Sequence, residues 1–292
     1  MNLNLDLLEK EIREKEINAI RYFLYEDGNI DSREILKSYP CSNCYSISKA
    51  FTATAIGILY DMGKINLDDH ITEILKDELP EKYDDNLKKV KIRHLLTHTT
   101  GFNEGSLFEG DRYTHGTDDF LKFSLSAPIG HEPGTTPVYS NKSTYILSCA
   151  VEKITGKRLD IFLREHLFSK IGIQQYAWEC CPMDHTMGAT GLYLSTYDVL
   201  RFGILYLNKG VWENTRVISE KWVDMATSVQ TPQNNSGFGF WINPGVCYTA
   251  SGAWSQHLYI IPDKKTVFAA HAYESDKKAE EFGNIINKFL EL

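Results

Sequence analysis

The chain of 292 residues lacks the features that mark nucleic-acid-binding and membrane-spanning proteins. It has 31 lysines and arginines against 39 aspartates and glutamates and no basic stripe, whereas phosphate contacts require clustered positive charge. No apolar run approaches the ~20 residues that span a bilayer, and residues 1–6 show no basic region followed by an apolar stretch. We therefore expect neither nucleic acid nor a membrane as a partner. A cytoplasmic location is the plain expectation, with a sequence already trimmed of its leader as the alternative.

The chain also lacks the cysteine spacing of a zinc site or a disulfide framework. Cys41 and Cys44 form one C-x2-C pair, but Cys180 and Cys181 are adjacent and form no second pair at zinc-ribbon spacing. Without a secretory leader, reduced and mostly buried thiols are the expected state of the six cysteines. We expect no metal and no cofactor. Nothing in the sequence indicates an oligomeric state.

What the chain does have is a serine placed three residues ahead of a lysine, in the segment 44–53. On a helix, positions i and i+3 share a face, so the Ser46 hydroxyl and the Lys49 amine are predicted to point into one cleft. An unassisted serine is a poor nucleophile and needs a base within hydrogen-bond reach. Lys49 could be that base, or it could tune another one. The spacing alone also occurs by chance, so further elements are needed.

A second element, Tyr139-Ser140-Asn141, follows a Pro-Gly turn and a short extended run. We expect it to form a loop ahead of a helix that begins near Ser143, with its two outer side chains facing one cavity while Ser140 points away. A lysine ammonium beside a phenol favours the phenolate, so Tyr139 is a candidate proton carrier. Asn141 offers an amide donor and acceptor for a substrate carbonyl or amide.

These two motifs, in this order, resemble those of the serine β-lactamase and penicillin-binding protein superfamily, whose signature is Ser-x-x-Lys followed by Ser-Asp-Asn and Lys-Thr-Gly elements. The tyrosine version of the second element resembles that of the class C β-lactamase branch and its esterase and peptidase relatives. The third element, residues 250–252 followed by an aromatic residue and Gln256, looks more like the esterase and 6-aminohexanoate-dimer hydrolase members. The resemblance implies that Ser46 attacks, that Lys49 and Tyr139 share its proton, and that Asn141 orients the substrate. It extends from about residue 45 to residue 268, with supporting stretches at 61–69, 92–101, 191–198 and 201–203.

The third element departs from the family pattern. Relatives carry Lys-Thr-Gly or His-x-Gly on a strand that lines the cleft, whereas the best match here is Ala250-Ser251-Gly252. Ser251 keeps the hydroxyl, and Gly252 leaves room for a substrate to approach the strand backbone. The resemblance implies an oxyanion hole formed by the backbone N–H groups of Ser46 and Ala253. Because Ala250 supplies no cation, we expect a weaker grip on a substrate carboxylate.

His98, within residues 97–101, has two interpretations. It could be a catalytic imidazole, or it could hydrogen-bond a tight turn behind the active site. We favour the second interpretation, on the family resemblance and because isolated motif matches are seldom catalytic.

The patterning predicts an α+β fold in a single domain, 1–292, and the resemblance makes it β-lactamase/transpeptidase-like. The first and last segments each hold strands and a helix, so we expect one antiparallel sheet flanked by terminal helices, from about 1–44 and 190–292. A helical subdomain, about 45–189, is inserted between them, and the cleft would lie at the junction. Predicted helices are 5–15, 46–62, 144–154, 159–168, 198–208, 219–225 and 277–290; predicted strands are 17–25, 32–38, 238–242, 246–252, 257–262 and 266–272.

The function that these features predict is that of a serine hydrolase forming a covalent acyl-enzyme on a small ester or amide. A D-Ala-D-Ala carboxypeptidase or weak β-lactamase is the alternative within enzymes, because Ser251 or an arginine from elsewhere could hold a carboxylate. An alternative of another class is a non-catalytic ligand-binding or sensing module. The presence of both Ser46 and Lys49 argues against it, since such a module has no need of an activated serine.

Overall fold

The computed structural model of the chain describes residues 3–292 and has the predicted α+β architecture. The strands are β1 (Ala19–Glu26), β2 (Asn29–Glu34), β3 (Cys41–Asn43), β4 (Ala177–Trp178), β5 (Leu192–Ser195), β6 (Val211–Trp212), β7 (Thr215–Arg216), β8 (Trp241–Asn243), β9 (Cys247–Gly252), β10 (Gln256–Ile261) and β11 (Thr266–Ala272). The α-helices are α1 (Leu5–Glu14), α2 (Ser48–Asp61), α3 (Ile71–Ile74), α4 (Ile92–Leu96), α5 (Phe120–Leu125), α6 (Asn141–Thr155), α7 (Leu159–Leu163), α8 (Thr196–Leu207), α9 (Glu220–Ala226) and α10 (Asp276–Leu290). Shorter helical turns are the 3-10 turns Tyr45–Ile47, Asp85–Lys89 and Pro262–Lys264 and the π-helical turn Arg164–Phe168.

The main sheet joins the two ends of the chain, as the sequence predicts. Its six antiparallel strands lie in the order β2-β1-β11-β10-β9-β8. Strand β11 pairs with both β1 and β10, and all seven of its residues are buried, as expected for a central strand covered on both faces. Strand β9, which carries the third sequence element, lies next to the edge strand β8.

The terminal helices cover one face of this sheet and α8 covers the other. Leu8 of α1 and Phe282 of α10 lie in one buried cluster with the sheet residues Tyr22 and Phe268. On the opposite face, α8 packs against β1, β10 and β11. Alternation along β1 explains both contacts, because successive side chains point to opposite faces.

Helix α2 is buried around nearly its whole circumference. Every residue from Ser48 to Leu59 is buried, and small side chains dominate, so neighbouring elements approach the backbone closely. At Gly57, an added Cβ would lie 2.4 Å from the indole of Trp222 in α9. The helix packs against α6, α7 and α9, which fixes the residues at its N-terminus.

Several predicted boundaries are wrong. Strand β2 begins at Asn29 rather than at residue 32, because Asp27 and Gly28 both adopt positive φ (45° and 96°) and form a two-residue hairpin turn. Helix α6 begins at Asn141 rather than near Ser143, because the Ser140 side chain caps it by accepting from the Lys142 N–H. Strand β8 begins three residues later than predicted, and α2 begins at Ser48 rather than at Ser46. The sheet β3-β5-β4 and the hairpin β6-β7 were not predicted. The two-subdomain division stays a prediction.

Membrane-spanning helices and metal-binding groups are both absent from the described residues. Across residues 3–292, the structure contains no helix long and apolar enough to cross a membrane. Within the same range, no group of three His, Cys, Asp or Glu side chains could hold a metal ion, and the six cysteines are free thiols.

Candidate active site

Ser46 lies on a sharp turn between β3 and α2. Tyr45, the residue before it, is in the left-handed region at φ 45°, and its N–H donates to Asn43 Oδ1 at 2.8 Å. The Cys44 N–H donates to the Leu192 carbonyl at 2.7 Å, which ties the turn to β5. Ser46 therefore sits on the 3-10 turn that leads into α2, near the positive end of that helix.

Two proton-carrying side chains converge on the Ser46 oxygen. Lys49 Nζ donates to Ser46 Oγ at 3.0 Å, and the Tyr139 hydroxyl donates to the same atom at 2.8 Å. Lys49 Nζ also lies 4.7 Å from the centre of the Tyr139 ring. Both sequence motifs thus meet at one hydroxyl, which is the arrangement that an activated serine requires.

Lys49 is a buried amine that has no carboxylate partner among residues 3–292. Besides Ser46, its Nζ donates to Asn141 Oδ1 at 2.7 Å and to the Ala189 carbonyl at 3.1 Å. Burial lowers the pKa of Lys49 below its ordinary value, while the neighbouring Tyr139 phenol acts in the opposite direction. A lower pKa makes the neutral amine, which can accept a proton, easier to reach.

Asn141 is held at both ends of its amide by protein groups. Its Oδ1 accepts from Lys49, and its Nδ2 donates to the Leu107 carbonyl at 2.9 Å. The side chain is 4% exposed. This geometry holds Lys49 in place. The expected contact of Asn141 with a substrate stays a prediction.

A small cavity, open to solvent, lies beside Ser46. Of the residues that line it, Lys49 alone carries a positive charge. Ser251 lines the cavity, whereas Ala250 is 3% exposed and packs in the core. The predicted contact of Ser251 with a substrate stays a prediction. The lining residues are Ser46, Lys49, Leu96, His98, Tyr139, Ser236, Gly237, Gly239, Phe240, Trp241 and Ser251.

Gly252 lets the end of β9 approach the serine turn. A Cβ added there would lie 2.3 Å from the Cys44 carbonyl oxygen and 3.0 Å from Tyr45 Cβ, so no larger residue fits without displacing the backbone. Ala253 follows directly, beyond the end of β9. Its predicted part in an oxyanion hole, with the Ser46 N–H, stays a prediction.

His98 departs from the prediction. In the part of the chain that the structure describes, its side chain makes no hydrogen bond to a turn, and its buried Nδ1 has no partner. Instead the ring lies 4.8 Å from the Tyr139 ring and lines the cavity. Burial and the charge of Lys49 lower the pKa of His98 to about 3, so the imidazole is neutral at physiological pH.

Some contributors to the site left no trace in the sequence patterns. The Ala189 and Leu107 carbonyls act through the backbone, which no side-chain motif marks. Gly239 was detectable only as one of several glycines. Its φ is 79°, and an added Cβ would lie 2.7 Å from Ala50 Cα, so the loop before β8 packs directly on α2.

This fold, with a serine, a lysine and a tyrosine meeting at the cleft, defines a class of active-site-serine proteins of the β-lactamase/transpeptidase type. The family model described as "Beta-lactamase" matches residues 42–286. The chain therefore belongs to the β-lactamase family, which confirms the resemblance drawn from its motifs.

Individual relatives span several activities. The chain is 28% identical over 207 residues to penicillin-binding protein 4 of Amycolatopsis lactamdurans, covering 60% of this chain and 53% of that protein. It is 32% identical over 127 residues to esterase EstB of Burkholderia gladioli, covering 39% of this chain and 32% of that protein. The chain thus matches about half or less of the length of these curated relatives.

A solved structure supports the fold over nearly the whole chain. A Bacillus anthracis protein assigned as a 6-aminohexanoate-dimer hydrolase superposes with a TM-score of 0.84 at 18% identity, covering 96% of this chain and 81% of that one. The predicted β-lactamase/transpeptidase-like fold is confirmed by this likeness.

Proposed function

We propose that this protein is a serine hydrolase that forms a covalent acyl-enzyme on a small neutral ester or amide. One observation carries the proposal: the Ser46 hydroxyl lies within hydrogen-bond distance of both Lys49 Nζ (3.0 Å) and the Tyr139 hydroxyl (2.8 Å). A serine held by two potential proton acceptors at a cavity is arranged for nucleophilic attack. Membership of the β-lactamase family supports the same reaction class.

The reaction has two halves. Ser46 Oγ attacks the substrate carbonyl, and its proton passes to the Lys49–Tyr139 pair. The negative oxygen of the tetrahedral intermediate faces the backbone N–H groups of Ser46 and Ala253. The pair returns the proton to the departing alcohol or amine, which leaves an ester on Ser46. Water then attacks this ester and gives up a proton to the same pair. The pair returns that proton to Ser46 Oγ as the ester bond breaks, which releases the acid and restores the serine hydroxyl.

Lys49 and Tyr139 act as one proton-holding unit in this scheme. Their side chains contact each other and share one partner, the Ser46 oxygen. Because both groups contact the oxygen that loses its proton, the base is the pair rather than either residue alone. Asn141 and the Ala189 carbonyl keep the lysine amine in reach of Ser46.

The cavity supports a neutral substrate. Among the described residues that line the cavity, Lys49 is the sole cation, and it is already bonded to three acceptors. Much of the remaining lining is apolar, with Leu96, Phe240 and Trp241. A substrate carboxylate would therefore enter without a charge-assisted partner, which disfavours β-lactams and D-Ala-D-Ala peptides.

A D-Ala-D-Ala carboxypeptidase or weak β-lactamase remains the second candidate, supported by the similarity to a penicillin-binding protein. A comparison of kcat/KM for p-nitrophenyl acetate, benzylpenicillin and a D-Ala-D-Ala peptide separates the two. We expect the ester to be turned over faster, because one missing charge-assisted hydrogen bond costs about 1.5–3 kcal/mol, or one to two decades. Faster turnover of penicillin than of the ester would contradict the neutral-substrate proposal.

A further inference from the structure

Tyr139 is partly exposed and needs an external constraint to keep its hydroxyl on Ser46. The side chain is 38% exposed, so on one side it meets solvent and the cavity rather than packed atoms. A tyrosine that swings away breaks the 2.8 Å contact with Ser46 Oγ. The restraint has to come from the residues that its ring touches.

Of the three aromatic rings that lie near the Tyr139 ring, that of His98 is the nearest. Its centre lies 4.8 Å from that of Tyr139, compared with 6.2 Å for Trp241 and 6.3 Å for Phe108. The imidazole is neutral at physiological pH, with a pKa of about 3, so it adds no second positive charge beside Lys49. It packs against the phenol without competing with the lysine for the serine proton.

The backbone of His98 also contacts the segment that carries Tyr139. The carbonyl of His98 accepts from the N–H of Val138, the residue before Tyr139, at 2.8 Å. The neighbouring Thr99 carbonyl accepts from the Gly134 N–H at 2.7 Å. His98 reaches this position with φ 57°, a left-handed conformation that is uncommon outside glycine and in which histidine and asparagine are enriched. Such backbone conformations persist where the surrounding structure fixes them, often beside a functional group.

We propose that His98 is a positioning residue for Tyr139: its ring and its carbonyl together hold the phenol hydroxyl on Ser46. The inference rests on the proposed serine hydrolase function and adds to it a residue that acts only through Tyr139. It also explains why an imidazole lines the cavity while its Nδ1 makes no hydrogen bond to any described residue.

The first test is a double-mutant cycle with His98→Asn and Tyr139→Phe. Asparagine tolerates the left-handed backbone and keeps the carbonyl, so the substitution removes only the ring. We expect His98→Asn to lower kcat for p-nitrophenyl acetate and the rate of fluorophosphonate labelling about tenfold, with KM nearly unchanged, since small displacements of a catalytic group are costly. In the Tyr139→Phe background the same change should have almost no further effect. Equal losses in both backgrounds would overturn the proposal.

A matched control is His94→Asn in the same segment. His94 Nδ1 accepts from the Lys91 N–H at 3.2 Å, and its ring is not among the cavity-lining residues. This variant should lower the melting temperature without changing the labelling rate. A His94→Asn variant that slowed labelling as much as His98→Asn would mean that general loosening, rather than Tyr139 positioning, explains the effect.

A second readout does not depend on activity. NMR of protein with ring-labelled tyrosine, with the Tyr139 signals assigned through Tyr139→Phe, reports how that ring is packed. We expect these signals to move toward the positions of free tyrosine in His98→Asn. Unchanged Tyr139 signals would overturn the positioning role. A wild-type protein that fluorophosphonate fails to label would contradict the hydrolase function instead, and the NMR result would still decide the role of His98.

Discussion

At the scale of single residues, the proposed reaction depends on a lysine that is buried with neutral partners. Lys49 bonds to a serine hydroxyl, an amide oxygen and a backbone carbonyl, and none of these stabilises the ammonium as a carboxylate would. Burial accordingly lowers the pKa of Lys49. Tyr139 contacts both Lys49 and Ser46, so the serine proton can pass either to the lysine amine or to the tyrosine oxygen.

This arrangement predicts a non-additive pair of mutations. Lys49→Ala and Tyr139→Phe should each slow acylation by at least ~100-fold, the usual size of a general-base contribution. The double variant should lose little more than the worse single variant, because each change already disables the shared unit. Stopped-flow measurement of p-nitrophenol release from the four proteins gives the cycle. A double loss equal to the product of the single losses would mean that the two groups act independently.

At the scale of elements, the close approach of β9 to the serine turn is what builds the cleft. The two meet at Gly252, where a Cβ would come within 2.3 Å of the Cys44 carbonyl. Gly283 in α10 offers a contrast, because a Cβ there meets nothing within 4 Å.

We therefore predict opposite outcomes for two glycine-to-alanine changes. Gly252→Ala should push β9 away from Ser46 and lower kcat/KM for p-nitrophenyl acetate by about tenfold or more, since small misplacements at the reacting centre are costly. Gly283→Ala should leave activity unchanged and stabilise the protein by roughly 0.5–1 kcal/mol, because alanine favours the helix. Urea unfolding and steady-state assays of both variants check this. Full activity in Gly252→Ala would refute the close-approach argument.

Some features of the fold and the site could be predicted from the sequence, and others could not. Spacing within a motif predicted the meeting of Ser46 with Lys49, because helical geometry fixes neighbours three residues apart. The arrival of Tyr139 at the same oxygen followed from the family resemblance. The start of α6 was misplaced because the capping role of Ser140 was not recognised. The predicted starts of two strands are wrong. The start of β2 is set by a two-residue turn, and the start of β8 is set by the packed loop at Gly239.

At the scale of the whole molecule, the main sheet buries histidines as neutral groups. Burial lowers the pKa of His257 on β10 to about 4 and that of His271 on β11 to about 3. The ring of His271 is held between Thr196 Oγ1, at 3.0 Å, and Cys44 Sγ, at 3.9 Å. His271 thereby links β11 to the serine turn, because Cys44 lies two residues before Ser46.

This burial predicts loss of stability in mild acid. An unfolded histidine has a pKa near 6.5, so between pH 6.5 and about 4 the unfolded chain binds protons that the folded chain does not. The free energy of unfolding should therefore fall as pH decreases, by about 1.4 kcal/mol per pH unit for each such histidine. Urea titrations at pH 7, 6, 5 and 4.5 measure it, with His257→Gln expected to reduce the slope. A free energy of unfolding that stayed constant between pH 6.5 and 5 would contradict neutral burial.

The central claim is that Ser46 is the nucleophile, and the most direct measurement is intact-mass spectrometry after incubation with a fluorophosphonate, followed by peptide mapping. We predict a single adduct on the peptide that contains Ser46 in the wild-type protein and no adduct in Ser46→Ala, which should also lose on the order of 10³-fold or more in ester hydrolysis while remaining folded. An adduct on another residue, an adduct that persists in Ser46→Ala, or a wild-type protein that none of the fluorophosphonate, p-nitrophenyl ester and penicillin probes acylates would contradict the account.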